Sequence, residues 1–251
     1  DYLVGRALKM PRGKVLGGTS SINGMLYVRG LASDYDNWAQ RGNSGWSFDD
    51  VLPYFRKSED FQLTVTKGDD GYHSTGGPMH IDQPRTRYPA LDAIIDAAEE
   101  CGYPRNDDYN GADQFGFGYY QLNQKQGKRQ SSYRAFVKPV EGRQNLTVIK
   151  GAHAEQLLFD TDDMCNAVGV RARIHGKMRD IFAISEVIVC AGSIQSPQLL
   201  ELSGIGQPDR LKALGIEVRC DSQGVGENLT DHYLTRLTWE LTKPLSLNQH
   251  T

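Results

Sequence analysis

No run of about 18 apolar residues occurs in the 251-residue sequence, so no stretch of it has the composition of a membrane-spanning helix. Its opening, DYLVGRALKM, lacks the basic-then-apolar order of a signal peptide. An excess of either charge is missing too. The 28 Lys and Arg against 31 Asp and Glu leave a formal charge of −3, which gives no long-range field to attract nucleic acid or anionic lipid. Cysteine is sparse: Cys101, Cys165, Cys190 and Cys220 are scattered with no C-x-x-C pair, which argues against a zinc knuckle or disulfide framework and predicts buried free thiols. No metal site is expected. No internal repeat, no low-complexity segment and no G-x-G-x-x-G turn is found. The length suits one large domain or two ordinary ones.

The sequence is rich in small residues at one place. PRGKVLGGTSSINGMLYVRG, Pro11 to Gly30, holds five glycines and the short polar side chains Thr19, Ser20, Ser21 and Asn23. Glycine permits close backbone approach and left-handed conformations, and short hydroxyl and amide groups offer donors and acceptors without filling space. A flat polar heterocycle or a phosphate suits such a loop. A glycine-rich turn capped by its own hydroxyls suits it as well.

Around this loop the patterning is mixed. Ser33 or Asp34 is placed to cap a short helix ending near Gly42, and Ser47 to cap another through Phe55. The Gly-, Asp- and Ser-dense stretch from Thr64 to Asp82 reads as a surface loop or flap. LDAIIDAAEEC, Leu91 to Cys101, reads as an amphipathic helix closed by Gly102 and Pro104. Period-two patterning then predicts four strands, in NLTVIKG, AEQLLFD, AVGVRARI and DIFAISEVIVCAG.

A second dense stretch, EVIVCAGSIQSPQLLELSGIG, runs from Glu186 to Gly206. Val187 to Cys190 suits a strand buried on both faces of a parallel sheet, Gly192 and Ser193 a tight turn, and Ser196 followed by Pro197 a helix start. Strand, small-residue turn and capped helix make the α/β unit that presents backbone N–H groups to a phosphate or ring.

The two stretches resemble the first and second signatures of the glucose-methanol-choline (GMC) family of flavoprotein oxidoreductases. The similarity continues through DYDNWA, LPYFRKSED, NGADQFGFGYYQ, NLTVIKGAHAEQLLFD and GVGENLTDH, in the style of bacterial choline and alcohol dehydrogenases. The resemblance implies an α/β fold, α+β overall, in which a Rossmann-like FAD-binding domain is interleaved with a substrate domain built on an antiparallel sheet. Residues 1–60 and 139–225 are expected in the FAD-binding part, and 61–138 and 226–251 in the substrate part. It further implies oxidation of an alcohol by hydride transfer to flavin N5. Electrons would pass to a quinone, another carrier or oxygen, with no nucleic-acid partner. A lyase of the hydroxynitrile type on the same scaffold, or an inactive fragment, stays open as an alternative.

By the same resemblance Thr19, Asn23, Gly24 and Leu26 match FAD-contacting positions, with Val15 and Met25 beside them. Ala154 matches a residue that meets adenine through its main chain, and Ser193 one that lines the cofactor. Some covalently flavinylated relatives carry histidine where Ile22 stands; isoleucine has no nucleophilic atom, so FAD is expected to be non-covalent. The family's dinucleotide fingerprint is expected before Asp1 and its catalytic histidine beyond Thr251, so no catalytic residue is assigned and the segment alone is expected to hold FAD weakly. His73 in the flap and His232 are read as a solvent-facing loop histidine and a structural hydrogen-bonding one.

Overall fold

The computed structural model describes residues 5, 7, 9–63, 71–162, 166–232, 235, 238 and 240. Helices and strands are mixed, and contacts divide the chain between Leu146 and Thr147 into two compact units.

In the first unit, helix α1 (Ala32–Gln40) starts after Leu31, whose N–H donates to Asp34 Oδ2 at 2.9 Å. Asp34 therefore acts from inside the first turn, and neither it nor Ser33 is the cap residue. Helix α2 (Phe48–Ser58) has a full capping box: Ser47 Oγ accepts from the Asp50 N–H at 3.3 Å, and Asp50 Oδ2 accepts from the Ser47 N–H at 3.1 Å. It runs three residues beyond the expected end at Phe55. Strands β1 (Glu59–Phe61) and β2 (Met79–Ile81) pair in parallel. Of the expected flap, residues 64–70 lie outside the described residues. Helix α3 (Pro89–Glu100) has proline at its first position and buries Ile95 and Ala98, as the amphipathic pattern predicts. A two-residue hairpin joins β3 (Gln124–Lys125) to β4 (Lys128–Arg129), with Gln126 at φ 52° and Gly127 at φ 73°, the left-handed pair such a turn requires.

In the second unit, β5 (Ala152–Phe159), β6 (Ala167–Ile174) and β7 (Lys177–Phe182) form an antiparallel sheet in the order β5-β6-β7. Leu157 and Ala172 are buried on it, and helix α4 (Gly192–Leu202) adds the buried Leu199. Ser203, just past α4, accepts from the Leu157 N–H at 2.8 Å and donates to the Leu199 carbonyl at 2.6 Å. Strand β8 (Ile205–Gly206), helix α5 (Pro208–Ala213) with its fully buried Leu211, and strand β9 (Cys220–Asp221), parallel to β8, complete the unit.

Three expectations need correction here. NLTVIKG and the run Val187 to Cys190 form no strands; Ile149 and Ile188 are 47% and 74% exposed. An apolar run becomes a strand only where a neighbour completes its ladder. Helix α4 begins at Gly192, not Ser196, so Pro197 lies in its second turn while Ser196 Oγ accepts from the Ala191 N–H at 3.0 Å. Cys101 and Cys190 are exposed rather than buried; Cys165 lies outside the described residues.

Candidate functional site

The loop from Gly13 to Leu26 is held from within. Thr19 Oγ1 accepts from the Gly13 N–H at 3.3 Å, Ser21 Oγ donates to the Leu16 carbonyl at 2.8 Å, and Ser20 Oγ takes the Ser132 N–H at 3.0 Å. The hydroxyls thus serve the turn itself, including its 3-10 segment Gly18–Ser21. Two glycines are needed for the same reason. A Cβ on Gly13 would stand 2.2 Å from the Gly18 carbonyl oxygen, and Gly17 has φ 87° with a Cβ position 2.6 Å from Ser21 Oγ.

Gly24 differs. It is outside the left-handed region, and a Cβ there would meet only Leu26 Cγ, at 3.9 Å. The chain places no demand on glycine at this position. Around it Val15, Ile22, Asn23 and Leu26 are exposed, whereas Thr19 and Met25 are half-buried. Asn23 Oδ1 accepts from the Met25 N–H at 3.1 Å, which supports Met25 in its left-handed conformation at φ 64°. The loop therefore presents main chain at 23–24, flanked by apolar side chains, to its surroundings.

What fixes this loop lies on segments that sequence reading passed over. Arg129, at the end of β4, donates through Nη1 to Asn23 Oδ1 at 2.8 Å and to the Ser20 carbonyl at 3.2 Å. The turn residues of the Gln126–Gly127 hairpin are the local signal that could have found it. Leaving the loop, the chain bridges Leu26 to Leu122 and then enters a buried polar network. Arg29 Nη2 lies 2.6 Å from Glu59 Oε2, an ion pair without aligned hydrogen-bond geometry, and the Tyr27 hydroxyl is 3.1 Å from the same oxygen. Burial, with the Glu59 charge adding to it, pushes the Tyr27 phenol up to about 12.

His73 closes the network. Its Nδ1 is 3.1 Å from Glu59 Oε1, its Nε2 is 3.0 Å from Asp108 Oδ2, and its ring stacks on Phe61 with centroids 3.7 Å apart. Burial disfavours its charge, but hydrogen bonds to Asp108 and Glu59 and their negative charges outweigh burial and raise the imidazolium to about 9. Burial likewise works against ionised Asp108, which His73 and Gln121 overcome, so its pKa falls below the usual value. His73 is thus a buried structural cation and not a solvent-facing loop residue. His232 is exposed, and among the described residues its backbone N–H donates to Asp231 Oδ1 at 2.8 Å.

In the second unit Ala154 sits beside a β-bulge. It pairs with Ala172 while Gln156 pairs with Arg171, which leaves Glu155 as the extra residue. Ala154 and Glu155 line a cavity of about 190 Å³ together with Ala191, Gln195, Gln198 and Leu199. Ser193 is exposed on the first turn of α4. Among the described residues no group of three or more His, Cys, Asp or Glu is placed to hold a metal ion, and no helix is long and apolar enough to cross a membrane.

The sequence matches the model of the GMC oxidoreductase family over residues 3–234. It is 43% identical over 245 residues to an oxygen-dependent choline dehydrogenase of Photobacterium profundum, covering 97% of this chain and 42% of the relative. A relative with the same description from Brucella anthropi is 43% identical, with 98% and 43% covered. The chain thus spans about two fifths of the length of these curated relatives. Among solved structures, pyridoxine 4-oxidase from Mesorbium loti superposes with a TM-score of 0.75 at 33% identity, over 84% of this chain and 40% of that one. An FAD-dependent oxidoreductase from Chaetomium thermophilum gives 0.80 at 29% identity, over 87% and 39%. With the family model matched over nearly the whole sequence and the α/β fold shared with these oxidoreductases, the chain belongs to the GMC oxidoreductase family.

Proposed function

We propose that the protein binds FAD without a covalent link and oxidises an alcohol, the 23–24 main chain lying against the flavin. The observation that carries this reading is Gly24: nothing in the chain needs a glycine there, so the missing side chain leaves room for a partner outside the chain. In the same loop Val15 and Leu26 are exposed apolar side chains, Thr19 and Met25 are half-buried, and Asn23 is held by Arg129. The names of the relatives agree, being choline dehydrogenases, an FAD-dependent oxidoreductase and an oxidase. Formate oxidase, another structural neighbour, has a modified FAD according to its description; here Ile22 offers no nucleophile for a covalent bond at the position some flavinylated relatives fill with histidine.

In this reading the main chain at Ala154 meets adenine at the 190 Å³ cavity, and Ser193 lines the cofactor. Segments 1–60 and 139–225 belong to the FAD-binding part, 61–138 and 226–251 to the substrate part. When bound, FAD would supply the hydride acceptor for the alcohol carbon, the hydroxyl proton leaving to a base not assigned among these residues, and a route for the electrons to a quinone, a carrier or oxygen. The chain's own part is to place the ring. The hydroxyls of the loop fix its path, and the Arg29–Glu59–His73 network fixes the segment that leaves it.

The reading is tested on the full-length, flavin-loaded protein, mixed anaerobically with choline and a series of primary alcohols. Bleaching of the yellow flavin by an alcohol is expected, with colour restored by air or an artificial acceptor. A flavin that stays oxidised with every alcohol would contradict it.

A further inference from the structure

A cavity of about 440 Å³ opens between the β3–β4 hairpin and the 13–26 loop, and its lining is strongly basic. Lys128, Arg129 and Arg134 converge there with the hydroxyl-bearing Ser21, Ser131 and Tyr133. Among the described residues none of the three cations forms an ion pair with a carboxylate. The chain carries slightly more acidic than basic residues overall, so this grouping is not a consequence of composition. Ser131 is buried, and the hydroxyl of Tyr133 is turned to Glu141 as its donor.

Three cations converging on one concavity set up a local positive potential that concentrates an anion there. Two of them are guanidinium groups, whose planar forks match the paired oxygens of an oxyanion. One is already aimed: Arg129 is fixed through Nη1 by Asn23 Oδ1 and the Ser20 carbonyl, which leaves its remaining N–H groups for another partner. Among the described residues the Arg134 guanidinium makes only a long 3.4 Å contact, on the Arg129 carbonyl.

We propose that this cavity binds a phosphate-class oxyanion through Lys128, Arg129 and Arg134. Because Arg129 also holds Asn23, occupancy of the cavity stiffens the glycine loop. The proposal stands whether or not the loop faces a flavin. Its ligand is a free phosphate or diphosphate, or the phosphate portion of a nucleotide, since all share the same charged oxygens.

The test titrates the protein with inorganic phosphate and pyrophosphate by calorimetry, against sodium chloride of equal ionic strength, in wild type and in Lys128→Gln/Arg134→Gln. Both substituted side chains are exposed, so the variant keeps the wild-type melting temperature without phosphate. Saturable binding by the wild type, weakened about tenfold or more in the variant, is expected from the loss of two charge-assisted contacts. Displacement of pyrophosphate by FAD identifies a nucleotide as the source, and retention identifies the free anion. No saturable binding beyond the chloride control, or equal affinity in the variant, overturns the proposal.

Discussion

The carboxylate of Glu59 lies 2.6 Å from the guanidinium of Arg29, and both side chains are almost wholly removed from solvent. Arg29 is four residues beyond Met25, so this pair anchors the segment through which the candidate flavin loop joins the body of its unit. A buried ion pair costs desolvation when formed, but removing one partner strands the other charge. Arg29→Met should therefore destabilise the protein by roughly 3–5 kcal/mol, read as a lower urea midpoint at unchanged slope. An effect below about 1 kcal/mol would mean that the pair is not buried as described.

His73 gives a pH dependence of definite sign. Its folded pKa of about 9 exceeds the ordinary imidazole value of 6.5, so between those limits the native state holds a proton that the unfolded chain has lost. The stabilisation is complete below about 6.5 and disappears as pH rises through 9, and amounts to on the order of 3 kcal/mol. Asp108 acts in the opposite range: its lowered pKa stabilises the fold above the unfolded value, and that contribution is lost in acid. Urea midpoints measured from pH 6 to pH 10 should fall with pH in the wild type, and His73→Gln should flatten the curve.

Ser203 couples α4 to β5. Ser203→Ala would leave the buried Leu157 N–H without its acceptor, at a cost of about 1–3 kcal/mol. Amide exchange at Leu157 is the direct readout and should quicken in the variant. Unchanged protection would mean that the N–H has another partner.

Local signals in the sequence were legible and long-range ones were not. The Ser47 to Asp50 box and the apolar stripe of Pro89–Glu100 are complete within a few residues, and both form as the pattern predicts. Val187 to Cys190 has an equally clear pattern but depends on neighbours that local sequence does not contain, and it forms no strand. His73 stands in a polar stretch that reads as exposed, yet its partners lie 14 and 35 residues away along the chain. Ser196–Pro197 carried a valid helix-start signal that was outweighed when Ser196 turned back to the Ala191 N–H.

The glycines of the loop are alike in sequence and different in structure, and this difference permits the most direct test of the account. Gly13 is enclosed, with a Cβ position 2.2 Å from the Gly18 carbonyl oxygen, while Gly24 opens outward. Gly13→Ala should lower the melting temperature of apo and FAD-loaded protein alike. Gly24→Val should leave the apo protein within about 0.5 kcal/mol of wild type, the range of a surface substitution. If the flavin lies against Gly24, the same change should sharply reduce FAD occupancy, with Asn23→Ser retaining far more. The decisive measurement is FAD affinity and thermal stability of Gly24→Val in the full-length protein, with and without added FAD. Lost affinity with an intact apo fold is the predicted result; unchanged affinity, or equal destabilisation of both forms, would contradict the assignment of this loop to the flavin.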